Sequence, residues 1–309
     1  MILFPGMSFN AQYLRALDTA ISGTPVYEPS RAGEVINLGQ AFFEINSNDP
    51  RIPFLKGRGF NCSFAMVEAA WILLGSRELQ PLLREIPSYG KYSDDGSTLN
   101  GAYGYRLRHY FGKDQLDIAV QELKQDPNSR RVVLSLYGSQ DLGIGSKDIP
   151  CNTSIFLKIR DRKLDLTVIN RSNDLFLGLP YNVFTFGILQ LYLARQLQIS
   201  VGTQRHFTDS LHLYREHIPR SEEIVQNNTL DEVERESAQF DWEYAKSVVD
   251  SAESLLDGAM EKVTSNHLRH FLLWCHHKER DNAKQDDQSE FEHFFSFLRS
   301  RVGRRRLNI

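Results

Sequence analysis

Residues 183 to 198, VFTFGILQLYLARQLQ, make a helix-length run that is apolar nearly all the way round. A helix with no polar face has no side to offer water, so other parts of the chain must enclose it. The run stays short of the roughly 20 apolar residues that cross a bilayer, as do the other apolar runs, and it reads as a central core helix. With 41% hydrophobic residues in 309, the chain has enough apolar surface for one large core or two modest ones.

The enclosing elements are mixed. Tyr13, Leu14, Leu17 and Ile21 recur at helical spacing between Asn10 and Ile21, before Ser22-Gly23-Thr24-Pro25 breaks the pattern. A strand is expected from Val35 to Ile45, and a buried helix over Ser63 to Leu74 carrying one carboxylate, Glu68, in apolar company. Residues 76 to 101 read as loop, Leu116 to Gln125 as a helix closed by Asp126-Pro127, and VVLSLYG as a strand. IFLKIR and KLDLTVIN alternate around Asp161-Arg162 and predict a hairpin. The fold class is therefore α/β in the α+β sense, a mixed twisted sheet with a central buried helix.

Beyond about Ile218 charged, helix-favouring residues predominate, with helices expected at 231 to 263, 265 to 280 and 288 to 302. The chain is read as a domain over residues 1 to 218 with a helical extension, 219 to 309, packed on it. The 36 basic against 39 acidic residues leave a net charge of -3, which argues for neither nucleic acid nor a membrane surface as partner. Cys62, Cys151 and Cys275 lie far apart without a CxxC pair, which suits a reducing compartment. MILFPGMSFNAQYLRALD lacks the pattern of a signal peptide, so the expected location is the cytoplasm.

The chemistry concentrates between Arg130 and His217. A cysteine after a proline, then RSND at 171 to 174, GLPYN at 178 to 182 and HLY at 212 to 214 together resemble the thymidylate synthase superfamily. PSRAGE, VEAAWILLG and NGAYGYRLR extend the resemblance upstream, so that it covers roughly residues 8 to 218. It implies a thymidylate-synthase-like fold and an enzyme that adds a one-carbon unit from 5,10-methylenetetrahydrofolate to C5 of a pyrimidine nucleoside monophosphate. C5 is a weak nucleophile until a thiolate adds at C6, and the resemblance gives that role to Cys151, with Arg171 as the guanidinium that favours its ionised form. Standing alone, Cys151 would read as a small buried hydrophobe.

The resemblance also assigns the remaining roles. Phosphate binding falls to Arg31, Arg171, Ser172, Arg130 and Arg131, the last two reaching across from the other subunit of a homodimer; arginine suits this task because its planar fork matches phosphate oxygens. Base and sugar recognition fall to Asn182, Asp174, His212 and Tyr214, and Asn182 favours uracil because a carboxamide donates and accepts together. Glu68 relays protons with a pKa raised by burial, Tyr103 assists at the C5 proton, and Gly178 lets backbone approach the base. Without the resemblance, Glu68 reads equally well as a core carboxylate tied to an arginine.

Two outcomes stay open for the one-carbon unit: hydride from folate gives methyl, and water gives hydroxymethyl. Asn152 follows Cys151 where synthases carry histidine, Tyr89 and Tyr92 stand where synthases usually place shielding tryptophans, and the chain ends in GRRRLNI instead of a short apolar tail. These departures favour hydroxymethylation of dUMP over thymidylate synthesis, with dCMP or CMP as further candidate substrates. A catalytically idle nucleotide- or RNA-binding relative is the non-enzymatic alternative, which intact Cys151, Glu68, Tyr103 and Asn182 disfavour. His267, His270 and His277 share one helical face with Trp274, but such a face is expected to pack, and no metal is assigned. The terminal arginines, Arg299 to Arg306, read as a solvated end.

Overall fold

A computed structural model describes residues 1–3, 6–22, 26–235 and 242–258. In chain order the strands are β1 (Ile2–Leu3), β2 (Tyr27–Ser30), β3 (Gly33–Ile45), β4 (Val133–Ser135), β5 (Asn152–Arg160), β6 (Lys163–Asn170), β7 (Asn173–Asp174) and β8 (Ser200–Tyr214). The helices are α1 (Phe9–Ile21), α2 (Cys62–Leu73), α3 (Gln80–Glu85), α4 (Tyr103–Tyr105), α5 (Gln115–Gln125), α6 (Leu179–Leu197), α7 (Ile218–Asn227), α8 (Leu230–Arg235), α9 (Trp242–Asp250) and α10 (Ala252–Asp257). The sheet runs β1-β3-β8-β6-β5-β4, with β2 beside β3 and β7 beside β8. β3 and β8 are antiparallel and β6 and β8 parallel, so the sheet is mixed, as the sequence pattern implies.

The apolar run at 183 to 198 is α6, and its side chains from Val183 through Leu191 are buried. It lies with α2 against β5 and β6, where Ile155, Leu157, Leu164, Leu166 and Val168 join Phe184, Phe186, Ile188 and Leu189 in the main core. α1 closes a second cluster with β3 and the first turn of α6, through Phe9, Tyr13, Leu17, Phe43 and Leu179. Asn61 caps α2 by accepting from the Phe64 amide at 2.8 Å, satisfying one of the otherwise orphaned donors of a helix start.

The hairpin forms as expected, with residues 160 and 163 paired across a two-residue turn in which Asp161 and Arg162 take φ of 48° and 57°. The stretch 76 to 101, expected as loop, contains α3 and a 3₁₀ turn at Pro87–Tyr92; Pro81 and Pro87 supply φ values already set for a first turn. The single helix expected over 231 to 263 is not continuous: within the described residues it is interrupted between α9 and α10. Ser251 separates the two, and left-handed Gly258 (φ 73°) ends α10. α7 and α8 pack on α1, α9 on α6 and α10 on α2, so the packing continues past residue 218. The expected helices at 265 to 280 and 288 to 302, with their histidines and terminal arginines, lie outside the described residues. No described helix is long and apolar enough to cross a membrane.

Candidate active site

The separation of 20 residues between Cys151 and Arg171 is the length of one hairpin. Cys151 immediately precedes β5 and Arg171 immediately follows β6, and the Arg171 amide donates to the Cys151 carbonyl at 2.9 Å where the ladder ends. The Arg171 guanidinium folds back over the same loop, donating from Nε to the Pro150 carbonyl at 2.9 Å and from Nη2 to the Ile149 carbonyl at 3.0 Å. Nη2 thereby stands 3.6 Å from Cys151 Sγ. Burial pushes the Cys151 thiol up, Arg171 pulls it down, and Asp148 pushes it up again. The net shift is upward, so the expected preformed thiolate is not what this pocket favours; Arg171 is placed to stabilise charge as it develops on sulfur.

One end of the site is rich in cations and hydroxyls. Arg31 donates to the carbonyls of Ser146 (3.4 Å) and Lys147 (2.7 Å), on the loop leading to Cys151. Strand β7 pairs with β8 so that Asp174 lies opposite His212, and β8 pairs with β3 so that Tyr214 lies opposite Val35. Ser172 Oγ and His212 Nδ1 are 3.4 Å apart, His212 packs edge-on to Tyr214, and the Tyr214 hydroxyl hydrogen-bonds Ser30, the neighbour of Arg31. Asp174 is pushed up by burial, and one of its oxygens accepts from the amides of Phe176 (2.7 Å) and Leu177 (3.0 Å). Arg131 is exposed and pairs with Glu122 at 2.9 Å. The cations acting most strongly on Cys151 are Arg171 and Arg31.

The other end is amide and carboxyl. Asn152, buried at the start of β5, donates from Nδ2 to Asn182 Oδ1 at 3.4 Å. Gly104 lets the Tyr103 loop seat directly on α2: a Cβ there would fall 2.3 Å from the Ile72 carbonyl oxygen, which no other residue could tolerate. This contact sets Tyr103 near Glu68, and the Tyr103 hydroxyl accepts from the Asn152 amide. Burial pushes Glu68 up to about 7, opposed by a hydrogen bond from Tyr89. Gly178 does make a close approach, but to protein: a Cβ would lie 2.7 Å from Asn173 Oδ1.

With this arrangement in view, the comparison with known families is decisive: the profile described as thymidylate synthase matches residues 11–250. The chain belongs to the thymidylate synthase family. Over 227 residues it is 34% identical to a deoxyuridylate hydroxymethyltransferase of Bacillus phage SP01, a match covering 69% of this chain and 59% of that protein. Over 169 residues it is 38% identical to a deoxyuridylate hydroxymethyltransferase of Pseudomonas phage M6, covering 54% and 48%. A thymidylate synthase of Wigglesworthia glossinidia brevipalpis is 28% identical over 214 residues, covering 67% of this chain and 80% of its own. The chain thus spans about half to three fifths of the length of the two phage relatives.

For this thymidylate synthase family member, sequence reasoning missed two polar groups. Asp148 accepts from the Gly101 amide at 2.6 Å and acts electrostatically on Cys151, Tyr103 and Tyr89, yet three residues before a cysteine it carries no motif of its own. Asn173 is buried and accepts from Asn182 Nδ2 at 3.1 Å; its presence within RSND is the one signal that could have found it. Tyr89, noted only as standing in the place of a shielding tryptophan, is also a hydrogen-bond partner of Glu68.

Proposed function

We propose that the protein transfers a one-carbon unit from methylenetetrahydrofolate to C5 of dUMP and releases the hydroxymethyl product. The observation that carries the transfer is the pairing of Cys151 Sγ with Arg171 at 3.6 Å, with Tyr103, Glu68 and Asn182 gathered on the base side and Arg31, Ser172, His212 and Tyr214 on the other. Sulfur adds to C6, Arg171 steadies the charge passing through it, and Tyr103 takes part in removing the C5 proton. Glu68, titrating near neutrality, is suited to both holding and releasing a proton beside O4. Asn182 reads the base, and Arg31 and Arg171 hold the phosphate.

Folate supplies carbon at the oxidation level of formaldehyde. A flat heterocycle needs an aromatic wall, and Phe60, Tyr181, Phe64, Tyr89 and Tyr92 form one, with successive ring centroids 4.5 to 5.5 Å apart and Tyr92 37% exposed. Where that wall meets Glu68 it ends in the Tyr89 hydroxyl, a group that welcomes water. The polar Asn152 beside Cys151 and the names of the two phage relatives favour the same product. Incubation with dUMP and methylenetetrahydrofolate, with products resolved by mass, is expected to give 5-hydroxymethyl-dUMP and tetrahydrofolate. Formation of dTMP with stoichiometric dihydrofolate would show that water does not intercept the intermediate.

The phosphate site is completed by a second copy of the chain. Arg130 and Arg131 are exposed beside the cross-strand pair Val133 (44% exposed) and Phe156 (36%), an apolar step on the sheet that a partner would cover. Sedimentation is expected to give a dimer. Mixing inactive Arg131→Ala with inactive Cys151→Ala is expected to restore part of the activity, because one of the two mixed sites then holds both native groups; no recovery would place the arginines outside the partner's site.

A further inference from the structure

Asn182 is flanked by two asparagines. It donates from Nδ2 to Asn173 Oδ1 at 3.1 Å and accepts at Oδ1 from Asn152 Nδ2 at 3.4 Å. The flanking residues are buried, Asn152 fully and Asn173 to 3% exposure. Asn173 Oδ1 has its place only because residue 178 is glycine. The outer atoms, Asn152 Oδ1 and Asn173 Nδ2, have no hydrogen-bond partner among the described residues. Three carboxamides therefore form one chain, open at both ends.

A primary carboxamide has two N–H donors and two acceptor lone pairs. After its two neighbours, Asn182 retains one of each. Uracil offers N3–H and O4, a donor and an acceptor; cytosine offers N3 and the N4 amino group in the opposite order. A carboxamide has nearly the same shape either way round, so the shape of the pocket does not discriminate between the two rings. Direction does. If all three amides turn together, every bond between them is remade with its sense reversed, and Asn182 then presents oxygen where it presented nitrogen.

We propose that Asn152 and Asn173 are positioning residues that bind the Asn182 amide into one shared direction with their own, and that the direction of this three-amide chain selects the pyrimidine base. Resting on the functional reading above, the direction Asn152 to Asn182 to Asn173 suits uracil, and its reversal suits cytosine. The two unpartnered ends explain how a single substitution could reverse the chain: no further bond anchors either terminus.

The test measures equilibrium binding of dUMP and dCMP to the full chain and to Asn152→Asp and Asn173→Asp across pH about 7 to 9, so that ionisation of the introduced carboxyl is read from the pH at which the preference changes. An ionised carboxylate only accepts. At 173 it takes the N–H that Asn182 already donates, and the preference for dUMP is expected to persist. At 152 it draws that N–H to the opposite flank, and the preference for dUMP over dCMP is expected to fall by about 10- to 100-fold. Each variant adds the same charge beside Asn182, so a general electrostatic or packing effect moves both variants and both nucleotides together. Parallel shifts in a wild type that prefers dUMP would overturn the direction argument alone; a wild type that binds neither nucleotide would overturn the functional reading and this inference with it. Should Asn152→Asp not fold, Asn173→Leu removes the acceptor at the other end and is expected to bring the two affinities towards parity, an unchanged preference being the contrary result.

Discussion

Replacing Cys151 with alanine is expected to lower turnover by about 10⁴-fold or more while dUMP binding changes by no more than about threefold. The sulfur stands 3.6 Å from Arg171, whereas the phosphate contacts proposed for Arg31, Arg171 and Ser172 do not pass through it. Loss of binding in parallel with turnover would mean that the cysteine organises the pocket and does not attack. Because burial outweighs Arg171 and raises the thiol, alkylation of Cys151 by iodoacetamide is expected to be slower at neutral pH than that of a free thiol and to accelerate as pH rises. The alanine variant separates this reaction from alkylation at the other cysteines.

Glu68→Gln is expected to lower turnover by about 10²- to 10⁴-fold and to remove the limb of the pH–rate profile near pH 7. The same substitution carries a stability signature. The folded chain keeps the Glu68 proton up to about pH 7, whereas an unfolded chain releases it near 4.5. Between those values the folded state binds more protons, so this contribution is fully present below pH 4.5 and is lost as pH rises to 7. Glu68 is partly exposed, so solvent screening holds the loss to the order of 2 kcal/mol. Denaturant titrations of the wild type across this range should show the decline and those of Glu68→Gln should lack it. An unchanged pH–rate profile in the glutamine variant would assign the neutral limb to another group.

The hairpin of β5 and β6 was readable because its residues alternate and its turn is polar, and α6 because its apolar character leaves no alternative to burial. β8 was legible only at its HLY end. Its core-facing positions include Gln204, His206 and Thr208, all fully buried, and polar side chains on the inner face erase the period-2 signal. They are only partly satisfied: Gln204 donates to the Val183 carbonyl at 3.0 Å and meets His206 Nε2 at 2.9 Å, while Gln204 Oε1, His206 Nδ1 and Thr208 Oγ1 have no hydrogen-bond partner among the described residues, and burial pushes His206 down to about 3 and keeps it neutral. In the site, the motifs singled residues out one by one and paired Cys151 with Arg171, but left most other contacts unstated. Nothing local says that Tyr89 bonds Glu68 or that Asn152 and Asn173 close on Asn182, since those contacts join segments up to 30 residues apart.

The main-chain bond between residues 151 and 171 also limits how this hairpin can lengthen or shorten over descent. A strand inverts the orientation of every later side chain when it gains one residue, so an insertion in β5 alone would exchange its core and solvent faces or pull sulfur and guanidinium out of step. Changes matched on both strands preserve the open end, and so does an odd residue absorbed in a bulge, as β5 already does between Asn152 and Ser154. Outside that bulge, lineages should therefore vary this spacing in paired steps more readily than in single ones.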